Sequence, residues 1–156
     1  LKMNSLTDRQ LIDALKEASQ AGVKIKMIIR GICCILPGIE GKTDNIEVIS
    51  VVGRFLEHSR IFCFGTGENM KMYIASADWM TRNTENRVEI AAPIYDQKIK
   101  NSIYDTLRIM WKDNLKARIL CSDGTYKKPE IKEGDELIDC QNYLRHEYKV
   151  GRKIKL

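Results

Sequence analysis

The sequence predicts an α/β fold, a mixed sheet packed by helices. Three observations carry that reading. A capped amphipathic segment over residues 7–21 leads directly into an apolar run at 23–29, the order of a helix-then-strand unit. Two further apolar runs, 61–64 and 71–75, flank a glycine turn and read as a β-hairpin. From Asp96 onward the apolar residues change from strand spacing to helical spacing.

The first helix is expected to start at Thr7-Asp8-Arg9-Gln10, a capping-box pattern with Thr7 as N-cap and Gln10 at the third helical position. Leu11, Leu15 and Ala18, joined by Ile12 and Ala14, supply its apolar face, and Gly22 stands where a left-handed residue would end it. The run Val23 to Ile29 begins by alternating and becomes continuously apolar, as a strand covered on both faces requires. It delivers Arg30 at its carboxyl end, the place where open α/β sheets bind ligands. Residues 36–45 are loop by their Pro and Gly content, and 46–52 is a short strand broken by Gly53. Residues 54–59 fit either a helical turn or an extended bend.

After the hairpin, Ser76 to Asn86 reads as a polar functional loop with a helical turn. Arg87 to Ala91 alternates and predicts a last strand that Pro93 stops. Ile99, Ile103, Leu107, Met110 and Trp111 line a helix running to about Lys112, with Asp96 as its cap. A short strand at 117–121, a turn at 122–125 and a charged connection through Gly134 follow. Leu137, Gln141, Leu144 and Tyr148 suggest a terminal helix, and Lys149 to Lys155 a basic tail.

A chain of 156 residues fits one domain, 1–156, with a real core; its last part, 130–156, is the least defined by pattern. An apolar fraction of 44% and a charged fraction of 30% are those of a soluble globular protein. No apolar run approaches the roughly twenty residues of a membrane span, and no signal peptide is visible. The 26 Lys and Arg against 21 Asp and Glu give a net charge of +5, which favours an anionic partner. Five cysteines without a CxxC pair make disulfide and zinc scaffolds poor readings and point to mostly buried thiols. The first residue is Leu1, and the sequence reads as a piece of a longer protein.

The chemistry is expected at the open end of the hairpin. Arg54, His58 and Arg60 precede its first strand, and Ser76, Asp78, Arg82 and Asn83 follow its second. An imidazole can attack phosphorus or donate a proton near neutral pH, guanidinium groups bridge phosphate oxygens, and a hydroxyl and an amide complete a cradle. The bland alternatives stand beside these. His58 could be a surface histidine with one ordinary hydrogen bond, and Arg30 could merely solvate a strand end. Asp78 could bind a metal, orient a base, cap a turn or pair with an arginine. Trp79 reads as packing, and His146 as an ordinary helix histidine.

Several long blocks carry a resemblance. KMNSL at 2–6, EASQAGVKIKMIIRGICCILPGIEG at 17–41, VVGRFLEHSRIFCFG at 51–65, YIASADWMTRN at 73–83 and LCSDGTY at 120–126 closely resemble the last domain of bacterial polyphosphate kinase of the phosphohistidine type. The resemblance weakens after about Pro129. It implies a phospholipase D-like domain of an enzyme that reversibly transfers the terminal phosphate of ATP to inorganic polyphosphate, with magnesium, through a phosphohistidine on the preceding domain. The metal ligands would then lie mainly outside this chain, and no metal site is expected within it. Arg30 in IIRG resembles the arginine that contacts nucleotide phosphates, and His58 in FLEHSR the second essential histidine, which assists transfer and is not the nucleophile. Arg54, Arg60, Ser76, Asp78, Arg82 and Asn83 are candidate supporting residues, of which Ser76, Asp78 and Asn83 fall in the family's SADWMxRN block.

Polyphosphate, ATP or ADP and the preceding domains of the same chain are the implied partners, with a homo-oligomer for the full-length enzyme and no nucleic acid. The implied location is cytoplasmic, with membrane association of the full-length enzyme a further option. Against the wider phospholipase D pattern, Arg60 stands in place of the usual lysine, and Ala75 to Asp78 only roughly follows Gly-Ser-x-Asn. These departures argue against a lipid- or DNA-cleaving enzyme. A phospholipase D-type phosphodiesterase and a noncatalytic polyphosphate- or nucleotide-binding domain remain as alternatives, and the isolated chain is expected to be inactive.

Overall fold

The computed structural model describes residues 1–151. Helix α1 (Arg9–Gln20) is capped by Asp8, whose side chain accepts from the Leu11 N–H at 3.0 Å, so the cap lies one residue later than the capping-box pattern suggests. Thr7 and Asp8 both donate their backbone N–H to the Trp79 carbonyl, at 2.8 and 3.0 Å, and it is the Asp8 side chain that reaches the first turn of the helix. Gly22 takes φ of 86° just past the helix, where a residue with a Cβ would be strained.

The short strand β1 (Lys2–Met3) and strand β2 (Ile25–Ile29) pair in parallel, as do β2 and β3 (Ile46–Val51). In β2 the side chains sort by alternation: Met27 and Ile29 join Ile12 and Leu15 of α1 in one core, and Ile28 joins a second core on the opposite face. The expected hairpin is present as β4 (Arg60–Phe64) and β5 (Lys71–Ala75), antiparallel, with Arg60 opposite Ala75 at the open end. A 3₁₀ turn at Gly67–Asn69 closes the other end. Residues 54–59 form no helix and run as a bend from β3 into β4.

The alternation at 87–91 does not make a strand. Val88 and Ile90 are 99% and 69% exposed, and a six-residue helix α2 (Thr81–Asn86) leads instead through an extended link to β6 (Ala91–Ile94). Pro93 lies inside β6, opposite Tyr73, rather than stopping it. It is tolerated because β6 is the edge of the sheet, where one side of the strand needs no N–H donor.

Helix α3 (Gln97–Trp111) is capped as expected by Asp96, which accepts from Lys98 and Ile99 N–H. Ile103, Leu107 and Met110 pack inward, whereas Ile99 in its first turn stays 52% exposed. The chain continues through β7 (Ala117–Leu120) and a two-residue strand β8 (Tyr126–Lys127) that the charged sequence conceals. Helix α4 (Cys140–Lys149) starts after the Asp139 cap, leaving Leu137 outside it and exposed. The basic tail falls largely outside the described residues.

The sheet order is β6-β5-β4-β1-β2-β3-β7-β8, parallel only within β1-β2-β3. Helix α1 covers one face, and α3 and α4 cover the other. Of the thiols, only Cys140 is buried; Cys33, Cys63 and Cys121 are half-buried and Cys34 is exposed. The expectation of mostly buried thiols is therefore corrected, because Cys33 and Cys34 sit in the loop after β2 rather than in the sheet. None of the described helices is long and apolar enough to cross a membrane.

Candidate functional site

Strand directions bring the candidate residues to one edge of the sheet. The carboxyl ends of β1 and β2, the amino end of β4 and the carboxyl end of β5 lie side by side there. Arg30 follows directly on β2, its N–H donating to the Met3 carbonyl at 3.3 Å and its own carbonyl accepting from Ser50 Oγ at 3.1 Å. Its backbone is fixed between β1 and β3, and its side chain is half-buried at the edge.

Arg60 and Asp78 close the open end of the hairpin. Arg60 Nε lies 3.2 Å from Asp78 Oδ1 and Nη2 lies 2.9 Å from Oδ2, a two-pronged ion pair. Asn4, just past β1, donates its backbone N–H to Asp78 Oδ1 at 2.7 Å and its side-chain amide to both carboxylate oxygens. Burial works to raise the Asp78 pKa, but the bonds from Arg60 and Asn4 outweigh it and hold the carboxyl below its ordinary value. Of the readings open to Asp78, the arginine pair is the one the geometry realises.

His58 is exposed and lies against the same guanidinium. Arg60 Nη1 is 3.1 Å from Nδ1 and 3.1 Å from the His58 carbonyl oxygen, and Nη2 is 3.2 Å from Nε2. A guanidinium only donates, and a neutral imidazole has one acceptor nitrogen, so at most one of the ring contacts is a hydrogen bond. Arg60 thus links the ring of His58 to the buried carboxylate of Asp78.

Lys2 adds an unexpected cation. It is only 2% exposed, donates to Ser59 Oγ at 2.8 Å and to the Ser59 carbonyl at 3.2 Å, and pairs with Glu57 at 3.4 Å. Burial lowers its pKa, Glu57 opposes that, and the charges of Arg30 and Arg60 lower it further. Lys2, Arg30 and Arg60 therefore share one electropositive region.

Ser76 and Asn83 meet on Glu89. Ser76 Oγ donates to Glu89 Oε2, Asn83 Nδ2 donates to Oε1 at 2.6 Å, and Ser76 Oγ accepts from the Ile90 N–H at 3.0 Å. The bond from Ser76 and then that from Asn83 lower the Glu89 pKa. The amide oxygens of Asn4 and Asn83 are buried without a partner among the described residues. Arg54 and Arg82 do not join the cluster. Arg54 is exposed with its guanidinium 5.8 Å from the Phe55 ring centroid, and Arg82 is exposed on α2. Trp79 packs on Phe62 at 5.3 Å between ring centroids, and His146 lies on α4 beside Glu147 at 3.4 Å.

Among the described residues, no group of three or more His, Cys, Asp or Glu could hold a metal ion. Asp78 and Glu89 are already committed to Arg60 and Asn4, and to Ser76 and Asn83. Among the described residues, the side chains at this edge do not fit a magnesium ion. Sequence reasoning also missed Lys2, Asn4 and Glu89 as members of the site. A lysine and an asparagine inside the quoted KMNSL block were the available signal.

These features define a mixed α/β domain with cationic side chains, a histidine and three committed carboxylates, Glu57, Asp78 and Glu89, gathered at one sheet edge. The chain belongs to the family described as polyphosphate kinase C-terminal domain 2, whose model matches residues 1–141. It is 53% identical over 140 residues to a polyphosphate kinase of Bacillus anthracis, covering 90% of this chain and 20% of that protein. It is 48% identical over 151 residues to a polyphosphate kinase of an Exiguobacterium strain, covering 97% of this chain and 21% of the relative. The crystal structure of polyphosphate kinase from Porphyromonas gingivalis superposes with a TM-score of 0.91 at 39% identity, over 97% of this chain and 23% of that one. The chain thus spans about a fifth of the length of the curated relatives it matches.

Proposed function

We propose that this domain forms the phosphate-binding wall of an ATP:polyphosphate phosphotransferase, whose attacking histidine lies on a preceding domain of the longer enzyme. The observation that carries the reading is the convergence of Lys2, Arg30 and Arg60 with His58 at one sheet edge. Polyphosphate and the phosphate tail of ATP are dense in oxygen anions, and a cationic edge partly screened from water lowers the energy of such a group. The family membership and the names of the relatives supply the substrate class. The same proposal takes the fold as phospholipase D-like, supported by the mixed sheet with helices on both faces and by a histidine, a serine and an asparagine at one edge.

The roles follow from the contacts. Arg30, with no ion pair among the described residues, offers its guanidinium to phosphate oxygens. Arg60 is held by Asp78 and presents its remaining face to His58. Both ring nitrogens face Arg60, so the ring N–H would have to turn away from the donor-only guanidinium to donate to the oxygen leaving phosphorus, a movement open to an exposed side chain. Ser76, Asn83 and Glu89 shape the neighbouring loop. Magnesium, where the enzyme uses it, would be held by residues outside this chain.

Arg30→Met in the full-length enzyme keeps most of the unbranched stem and removes the guanidinium with its charge. The expected result is a KM for ATP or for polyphosphate raised about tenfold or more, with the melting temperature unchanged. Unchanged kinetic constants for both substrates would remove Arg30 from the site.

A further inference from the structure

The segment carrying His58 has no regular secondary structure, yet its polar groups are held at successive points. Gln141, in the first turn of α4 and 6% exposed, does the first holding. Its Oε1 accepts from the Phe55 N–H at 2.9 Å, and its Nε2 donates to the Phe55 carbonyl at 2.8 Å. One side-chain amide thereby satisfies both backbone groups of a single residue, as a neighbouring strand would. The same Nε2 reaches Glu57 Oε1 at 3.0 Å, and the other oxygen of Glu57 pairs with Lys2, which holds Ser59. Phe55, Glu57 and Ser59 are all anchored, and His58 sits between the last two.

The anchor itself is firmly placed. Asp113 accepts from the Cys140 N–H at 2.8 Å and from the N–H groups of Leu115, Lys116 and Ala117, tying the start of α4 to the turn between α3 and β7. Asp139 caps α4 by accepting from the Asn142 N–H at 3.1 Å. Gly53 leaves the room the amide needs, since a Cβ there would lie 2.4 Å from Gln141 Oε1.

We infer that Gln141 is a positioning residue for phosphoryl transfer, fixing the place of His58 through Phe55 and Glu57. The inference rests on the proposed role of His58. A shift of the histidine by an ångström or so would cost catalysis while leaving the binding of ATP by other groups in place. Glutamine is required because the site needs an acceptor for Phe55 N–H and a donor for both Phe55 O and Glu57.

The test uses the full-length enzyme with Gln141→Glu, which keeps the shape but sets a carboxylate oxygen against the Phe55 carbonyl and Glu57. Gly53→Ala serves as a second variant that displaces the amide without changing any residue of α4. Each is expected to lower kcat about tenfold to a hundredfold with KM for ATP within about twofold. In a His58→Ala background neither should lower kcat further, because the group being positioned is gone. If Gln141→Glu does not fold, Gly53→Ala decides the matter by the same readouts. Wild-type kcat, or the same fractional loss with and without His58, overturns the inference. A His58→Ala enzyme of normal activity would instead overturn the role of His58 itself, so the two failures are distinguishable.

Discussion

Arg60 meets Asp78 through two donors, Nε to Oδ1 at 3.2 Å and Nη2 to Oδ2 at 2.9 Å, and the two side chains are only 13% and 8% exposed. The pair spans the open end of the hairpin, and the same guanidinium contacts His58. Removing one partner of so enclosed a pair leaves the other desolvated and uncompensated. Asp78→Ala is expected to cost about 3–5 kcal/mol, read from the urea midpoint, and to release His58 with Arg60. A loss below about 1 kcal/mol would mean that solvent already screens the pair.

Acid should act on the same carboxylates. Burial tends to raise the pKa values of Asp78 and Asp113, but hydrogen bonds prevail: Arg60 and Asn4 on Asp78, and backbone N–H groups on Asp113. Folded values below the unfolded value of about 3.9 mean that the unfolded chain binds more protons. The stabilisation is fully present above about pH 5 and is lost as pH falls through about 4 toward the folded values. Urea midpoints from pH 7 to pH 3 should fall in the wild type, and fall less in Asp113→Asn. Equal slopes in the two proteins would contradict the assignment to Asp113.

The start of α1 gives a paired comparison. Asp8 caps the helix and also accepts from Thr84 Oγ1 at 2.6 Å, joining α1 to α2. Asp8→Ala should lower stability by about 1 kcal/mol or somewhat more, and Thr7→Ala by much less. Melting curves of the two variants distinguish the residues; the reverse order would restore Thr7 as the cap.

The thiols should differ sharply in reactivity. Cys34 is exposed, whereas burial, and then the hydrogen bond and charge of Asp113, push the Cys140 thiol far above its ordinary value. Iodoacetamide at neutral pH should modify Cys34 first and Cys140 only after unfolding, as peptide mapping would read. Early labelling of Cys140 would show that the α4 start opens readily.

Much of the fold was legible because local signals agreed with tertiary needs. The 61–64 and 71–75 runs paired as a hairpin, and Asp96 capped a helix whose apolar spacing was already helical. Pro93 misled because its effect depends on whether a strand lies at an edge, which only the sheet order reveals. At the site, the meeting of Arg60 and Asp78 across the hairpin end followed from strand pairing. Asn4 and Lys2 did not, since their partners lie 74 and 57 residues away in sequence and are set by the antiparallel pairing of β1 with β4. Gln141 was hidden in the same way, reading only as a member of the stripe that suggested the terminal helix while its amide stood in for a strand.

The central claim is that this sheet edge takes part in phosphoryl transfer, and His58 tests it most directly. The measurement is ATP-dependent polyphosphate synthesis by the full-length enzyme carrying His58→Ala, with the melting temperature recorded alongside. A fall in kcat of about a hundredfold or more with the fold intact is the predicted result. Near-normal turnover by a folded enzyme would contradict the account and leave the edge as a binding surface alone.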